Sequence, residues 1–445
     1  MEERLRTNSS NSSKPPSSDP PSHKPPKSKQ RKKSRRRPGG QPGHKGTTRA
    51  LLPPEEVDEF ISCEPASRCD CGGRILCDHE DPLRVQNVEL LQIHTMVREF
   101  LLHSGRCQRC GQVHIAELPP GTPPGILGPR AMAVVAVLTG KYHLSKRQAA
   151  ELLKDLLGLE VSVGTISNTE GRVSAALERP VEEAKTYVQQ QAVVHADETG
   201  HKVAGKKAWV WTAVTELVAV FLIRTTRGAV AAKELLGETF KGILVSDRWS
   251  GYGWVPVKRR QLCWAHLIRD FKKIAERGGS SQEVGNAILE YVHKMFRLWR
   301  RYRQGQCSRK QLQRKMMPIR RSIEGLLEEG QVCGHPKTQR TCSRILKKKV
   351  ALWTFIRVPG VEPTNNLAER MVRPYVLWRK SSFGTQSTRG NTFVERILTV
   401  SATCRLQKRN VLEYVTAAVE AHLEERAAPS LLPQRESLAL ARALG

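Results

Sequence analysis

The chain has 445 residues, with 73 Lys and Arg against 43 Asp and Glu, which gives a net charge of +30 and a pI of about 10.0. A polyanion, nucleic acid above all, is the natural partner of such a surface. The longest apolar runs, such as Val218 to Ile223, are far shorter than the ~20 residues a membrane helix needs, so no membrane-spanning helix is expected.

Length predicts about two to four domains. No apolar signal segment opens the chain, so the 11 cysteines are expected as thiols or metal ligands in a reducing cytoplasm, with the protein associated with the nucleoid. Residues 1–49 are rich in Ser, Pro, Lys and Arg, carry a net +11 and hold almost nothing to bury, which predicts a disordered basic arm. Its block Arg31 to Arg37 would neutralise phosphates by counterion release. Gly39 to Gly46, with four glycines and a proline, forms neither helix nor strand but can lay its backbone close to another chain.

Residues 50–120 read as a small cysteine-nucleated module. Cys69-Asp70-Cys71 and Cys107-Gln108-Arg109-Cys110, each followed by glycine, are knuckle-like pairs separated by an extended stretch around Val85 to Leu90. Together they can supply the four thiolates of a structural Zn²⁺ site of the ribbon type. The first pair is C-x-C, tighter than the usual knuckle, with Cys63 or Cys77 as substitute ligands; unmetallated buried thiols are the alternative.

Residues 121–185 are predicted to be helical. Ser145 is a helix N-cap, Gly158 breaks the first helix, and a second runs from about Ser162 to Arg172. The pattern is that of a helix-turn-helix whose second helix enters the major groove, with Arg147, Thr165, Ser167 and Asn168 contacting DNA. A plain helical connector is the competing reading.

The core is expected in residues 186–270 and 351–405, an α/β fold interrupted by a helical insertion at 271–350 and followed by a helical tail at 406–445. Val193 to Ala196 is a short buried strand ending at Asp197; Ala208 to Val214 and Val218 to Ile223 form a hairpin; Gly242 to Ser246 is a second buried strand, ending at Asp247. Open α/β sheets place their chemistry at strand ends. Two carboxylates on adjacent strands, ~4.8 Å apart, can share a pair of metal ions ~3.5–4 Å apart. Side chains alternate along a strand, so Glu198 points away from Asp197. Asn365-Asn366 starts a helix that carries Glu369 in its first turns, followed by Arg373, Arg379 and Lys380, which are placed to hold phosphates. A lone Glu among cations would be an ordinary salt-bridged surface group; its company is what makes it a candidate third ligand.

Taken in order, the Gly39 to Gly46 block, the cysteine pairs, His195-Ala196-Asp197-Glu198-Thr199, Ser246-Asp247-Arg248-Trp249-Ser250-Gly251-Tyr252, Cys263-Trp264-Ala265-His266-Leu267 and Asn365-Asn366-Leu367-Ala368-Glu369-Arg370 resemble the bacterial transposases of insertion sequence family sixty-six. The resemblance implies a DDE transposase with an RNase H-like mixed sheet core, a large helical insertion, a preceding zinc-finger-like module and an N-terminal DNA-binding region. It implies Asp197, Asp247 and Glu369 as the catalytic acids, holding Mg²⁺ or Mn²⁺ for hydrolysis at the transposon end and then attack of the freed 3′-hydroxyl on target DNA. Cys263-x₂-His266 resembles the C/D-x₂-H pair of several DDE groups, placing His266 near the scissile DNA. The partners implied are transposon-end and target DNA, further copies of the chain assembled on DNA, and companion proteins of the same element. The coiled-coil-like leader common in such proteins is expected to be short or absent. A catalytically silent or domesticated DNA-binding regulator, or a nuclease of the same fold, is the alternative.

Overall fold

The computed structural model describes residues 50–77 and 82–433. The basic arm, with its Gly39 to Gly46 block, and the end of the C-terminal tail lie outside the described residues. Contacts divide the chain into two units, one of residues 24–94 and one that includes everything from Thr95 onward. In the smaller unit the Gln86 side-chain amide holds the backbone of Leu52 from both sides, accepting from its N–H at 2.8 Å and donating to its C=O at 3.0 Å. Cys69 sits in a tight turn in which its N–H donates to Gly73 C=O and Gly72 N–H donates back to Cys69 C=O. Gly72 has φ 87°, a value that a side chain would strain.

The larger unit opens with a hairpin, β1 (Ser104–Arg106) and β2 (Val113–Ile115), whose turn carries Cys107 and Cys110. Gly111 N–H donates to Cys107 C=O at 2.9 Å, again with a positive φ at the glycine, 76°. Four helices follow: α1 (Pro129–Ala136), which continues into a π turn, then α2 (Lys146–Leu157), α3 (Val163–Ala176) and α4 (Glu178–Gln189). The expected caps are in place. Ser145 and Gln148 form a reciprocal capping box, Gly158 ends α2 in the left-handed conformation, and the Ser162 hydroxyl accepts from Thr165 N–H at 3.0 Å.

The sheet contains β3 (Val193–Val203), β4 (Lys206–Val214), β5 (Ala219–Arg224), β6 (Ile243–Ser246) and β7 (Arg260–Leu262) in the order β5-β4-β3-β6-β7. The first three pair antiparallel; β6 and β7 run parallel to β3. One expectation needs correction. β3 does not stop at Asp197 but runs on to Val203, because Glu198 to Val203 keep pairing with β4 across a tight turn at Ala204 and Gly205. Only the parallel pairing with β6 ends, at His195, so Asp197 lies at the end of the β6 side of the strand alone.

Helix α5 (Ala229–Leu236) links β5 to β6, and after β7 the chain enters α6 (Trp264–Ala275), α7 (Gly279–Arg303), α8 (Arg309–Val332), α9 (Pro336–Leu346) and the short α10 (Thr354–Arg357). It returns through α11 (Asn366–Ser382), α12 (Thr388–Leu406) and α13 (Val411–Leu423). The helices between β7 and α11 bury a core of their own around Trp264 and Trp353, whose rings lie 5.0 Å apart, while the helices before the sheet and after α11 share a second core with the strands. Among the described residues no helix is long and apolar enough to cross a membrane. The free edge of β5 is covered by α12. Thr403, Thr399 and Glu395, at successive i, i+4 positions, accept hydrogen bonds from the N–H groups of Ala219, Phe221 and Ile223, which leaves this stretch closed to strand addition.

Candidate active site

Asp197 and Asp247 are brought together by register. His195 on β3 pairs in parallel with Val245 on β6, so residues two further along each strand stand side by side just beyond the pairing. Asp247 accepts a 2.8 Å hydrogen bond from Trp249 N–H, which fixes the turn after β6. Buried Arg260 on β7 donates to Ser246 Oγ at 2.9 Å and to Asp247 C=O at 2.8 Å, pinning the same turn from beneath.

Asn365 brings in the third acid. It precedes α11 as expected, yet its side chain does not cap the helix. Instead it is fully buried, donates to Ala196 C=O at 2.8 Å and lies 3.3 Å from His195 Nδ1, which ties the helix start to the residue before Asp197. The backbone N–H of Asn365 also contacts Cys263 Sγ at 3.2 Å. One turn later Glu369 emerges, its N–H bonded to Asn365 C=O. Neither the Asn365 crosslink nor Arg260 was foreseen from sequence; the only signal for Asn365 was its identity as a helix-start residue.

Asp197 is a carboxyl under electrostatic pressure. Burial, then the charges of Glu198, Glu369 and Asp247, hold its pKa well above the usual carboxylate range. Such clustering of acids is a feature of functional sites and of cation sites in particular. Glu198 is already engaged. Arg227 donates to its Oε1 at 2.7 Å and Tyr252 OH to its Oε2 at 2.7 Å, so both oxygens are used on the far side of β3. Burial and Asp247 raise its pKa to about 7 in spite of these donors.

Among the described residues, the group whose ligand atoms all lie within 4.8 Å of one another is Cys263, His266 and Glu369. His266 Nδ1 and Glu369 Oε1 face each other at 3.6 Å, and both atoms are buried without a hydrogen-bond partner. The structure therefore places Glu369 directly against His266, and its charge is among those that raise the pKa of Asp197. Burial and Arg269 lower the His266 pKa, favouring the neutral ring. Cys263 is a thiol, its pKa pushed up to about 11 by burial. The donors brought within common reach here are one carboxylate oxygen, one ring nitrogen and one thiol; Asp197 and Asp247 are not part of that group.

The other expected site residues are spread more widely. Arg373 and Lys380 are exposed on α11, whereas Arg379 is engaged by Gly200 C=O on β3. On the helix pair, Arg147 and Asn168 are exposed, Ser167 Oγ receives Lys146 Nζ at 2.8 Å, and Thr165 lies against its cap Ser162. Arg389 at the start of α12 donates to the carbonyls of Ser167 and Asn168, so this part of α3 is packed on the body of the protein. In the cysteine turns, backbone N–H groups aimed at sulfur lower the pKa of Cys69, mainly from Cys71, and of Cys107, mainly from Cys110.

His195 makes stability depend on pH. Burial lowers its pKa to about 4, against an ordinary value of 6.5. The unfolded chain therefore binds the proton first, and stability present above pH ~6.5 is lost as the pH falls toward ~4, by about 3 kcal/mol. Denaturant titrations between those pH values should differ in slope between the wild type and His195→Asn by this amount, the wild type losing more stability as the pH falls.

A model described as "Family of unknown function" matches residues 1–50. An uncharacterized protein, y4qI, of Sinorhizobium fredii is 27% identical over 402 residues, covering 81% of this chain and 71% of its own length. Another from the same organism, y4hP, is 24% identical over 393 residues, covering 79% of this chain and 70% of its own. The model of the transposase IS66 family matches residues 124–392, from the helices before the sheet through the helix that carries Glu369 and into α12. This match spans more than half of the sequence, and the chain belongs to the IS66 transposase family.

Proposed function

We propose that the chain is a DDE transposase that cuts the ends of its element and joins them to target DNA. The observation that carries this reading is the convergence of Asp197 and Asp247, in register on adjacent parallel strands, with Glu369 on a helix tied to β3 through Asn365. The strand order, with three antiparallel strands followed by two parallel ones, supports an RNase H-like core. Asp197, Asp247 and Glu369 would hold Mg²⁺ or Mn²⁺, which when bound supplies Lewis-acid stabilisation of the phosphodiester and a more acidic water. The chain's own residues do the rest. Arg260 and the Trp249 N–H keep Asp247 aimed, Asn365 sets the distance of Glu369 from β3, and neutral His266 stands beside Glu369 able to accept or donate one proton at Nδ1. Glu198, paired with Arg227 and hydrogen-bonded by Tyr252, has both oxygens occupied and stays outside the ligand set. Arg373 and Lys380, exposed after Glu369, are suited to phosphate contact, as are the exposed Arg147 and Asn168 on the helix pair, whereas Thr165 and Ser167 are engaged by Ser162 and Lys146. Each cysteine turn, closed by a glycine of positive φ, is suited to hold a structural Zn²⁺. Assembly of several copies on DNA and companion proteins of the element belong to the same reading.

The test is direct. Purified protein is incubated with DNA bearing the element's terminal inverted repeats, with Mg²⁺ or Mn²⁺ and with chelator. Nicking at the repeat ends that requires the metal is the expected result; cleavage that proceeds in chelator would exclude the metal-dependent mechanism.

A further inference from the structure

Beside Asp247 lies a cavity of about 530 Å³ with two walls of different origin. One wall is α6, which presents Arg269 and Lys273 a single turn apart; the other is the end of α9 and the residues after it, which present Arg344, Lys347 and Lys348. None of these five makes an ion pair with a described carboxylate, in contrast to Arg248 in the same cavity, which is bound to Asp270 at 2.5 Å. Cations at the ends of helices are commonplace, since the helix dipole favours them there. Their convergence from two helices on one hollow is not explained by that, because like charges i, i+4 apart or facing across a cavity repel. The crowding is felt: burial, Arg260 and Arg248 together lower the pKa of Lys348. The other basic hollow, lined by Arg172, Arg389 and Arg396, differs in that Arg389 is held by backbone carbonyls and Arg396 by Glu178.

We propose that this cavity is a phosphodiester-binding pocket for a single strand of DNA running past Asp247, so that the helices between β7 and α11 supply both basic walls of the DNA path, one from α6 and one from the end of α9. The size suits a nucleotide or two of one strand, within the ~300–1,000 Å³ typical of ligand pockets, and is too small for a duplex. The proposal rests on the transposase reading for its choice of DNA, and its test is a binding measurement that requires no cleavage.

The experiment uses the full chain and a fluorescent 20-nucleotide single-stranded DNA of mixed sequence, in chelator, across a salt series. Lys347→Glu/Lys348→Glu is expected to weaken binding at least tenfold and to make the slope of log K against log salt shallower by about 1.4, the value for two lost phosphate contacts on a single strand. Arg314→Glu/Lys315→Glu, the same charge change at exposed positions of α8, should leave both nearly unchanged. Equal loss in the two variants, or none in the first, overturns the pocket. So does a Lys347/Lys348 effect confined to RNA of the same sequence. Thermal melting checks folding, and Lys347→Gln/Lys348→Gln replaces the reversal should it fail to fold. If the pocket variant loses binding while the wild type never cuts repeat ends, the catalytic reading fails and the pocket stands.

Discussion

Asp197→Asn is expected to reduce cleavage at repeat ends by ~10³-fold or more, about 4 kcal/mol of transition-state stabilisation, while making the metal-free protein more stable. Both effects have one origin. The carboxyl of Asp197 is desolvated and repelled by Glu198, Glu369 and Asp247, so an amide of the same shape relieves the fold of a charge it accommodates poorly. The function needs that charge, a trade frequent at active sites. Melting in a Mg²⁺ or Mn²⁺ series separates the two: the wild type should rise in Tm as the cation occupies the folded state, and the variant should start higher and rise less. A variant that still cuts, or that melts below the wild type in chelator, contradicts this account.

Asn365→Ala is expected to cost about 3 kcal/mol of stability and to slow end cleavage by about 10²-fold. The fully buried amide serves Ala196 C=O and His195 Nδ1 at once, and leaving a buried partner unsatisfied costs ~1–3 kcal/mol each. The loss of activity follows from position. Asn365 begins the turn that presents Glu369, and a shift of ~1 Å in a reacting group is enough for such a penalty. Denaturant unfolding and single-turnover cleavage of pre-bound ends measure the two effects; unchanged values in a folded variant would show that Glu369 is positioned without this crosslink.

The aspartates were readable because each follows a short, mostly apolar run, Val193 to Ala196 and Ile243 to Ser246, the signature of a buried strand. The continuation of β3 was not, since Glu198 to Lys202 are polar and turn-like, and tertiary pairing with β4 and with the Thr385 backbone holds them extended. The ends of α2 announced themselves through Ser145 and Gly158, and the start of α3 through Ser162, where local hydrogen bonding suffices. Asn365 was visible as a helix start, but its use is tertiary and depends on a strand some 170 residues earlier. The same holds for the contact of His266 with Glu369 and for the cations beside Asp247, which lie far apart along the chain and meet only when the inserted helices fold back.

The two ends of that insertion are fastened to each other: Trp264 N–H donates to Pro363 C=O at 2.9 Å, and Asn365 N–H meets Cys263 Sγ. Whatever is threaded between them therefore leaves the distance from β6 to Glu369 unaltered. Lengthening a closed loop is cheap, ~0.6 kcal/mol per doubling, so the segment is free to be enlarged, trimmed or exchanged over generations while the three acids keep their frame. The clasp makes the core a socket, and diversification among related elements is expected to be concentrated in what is plugged into it.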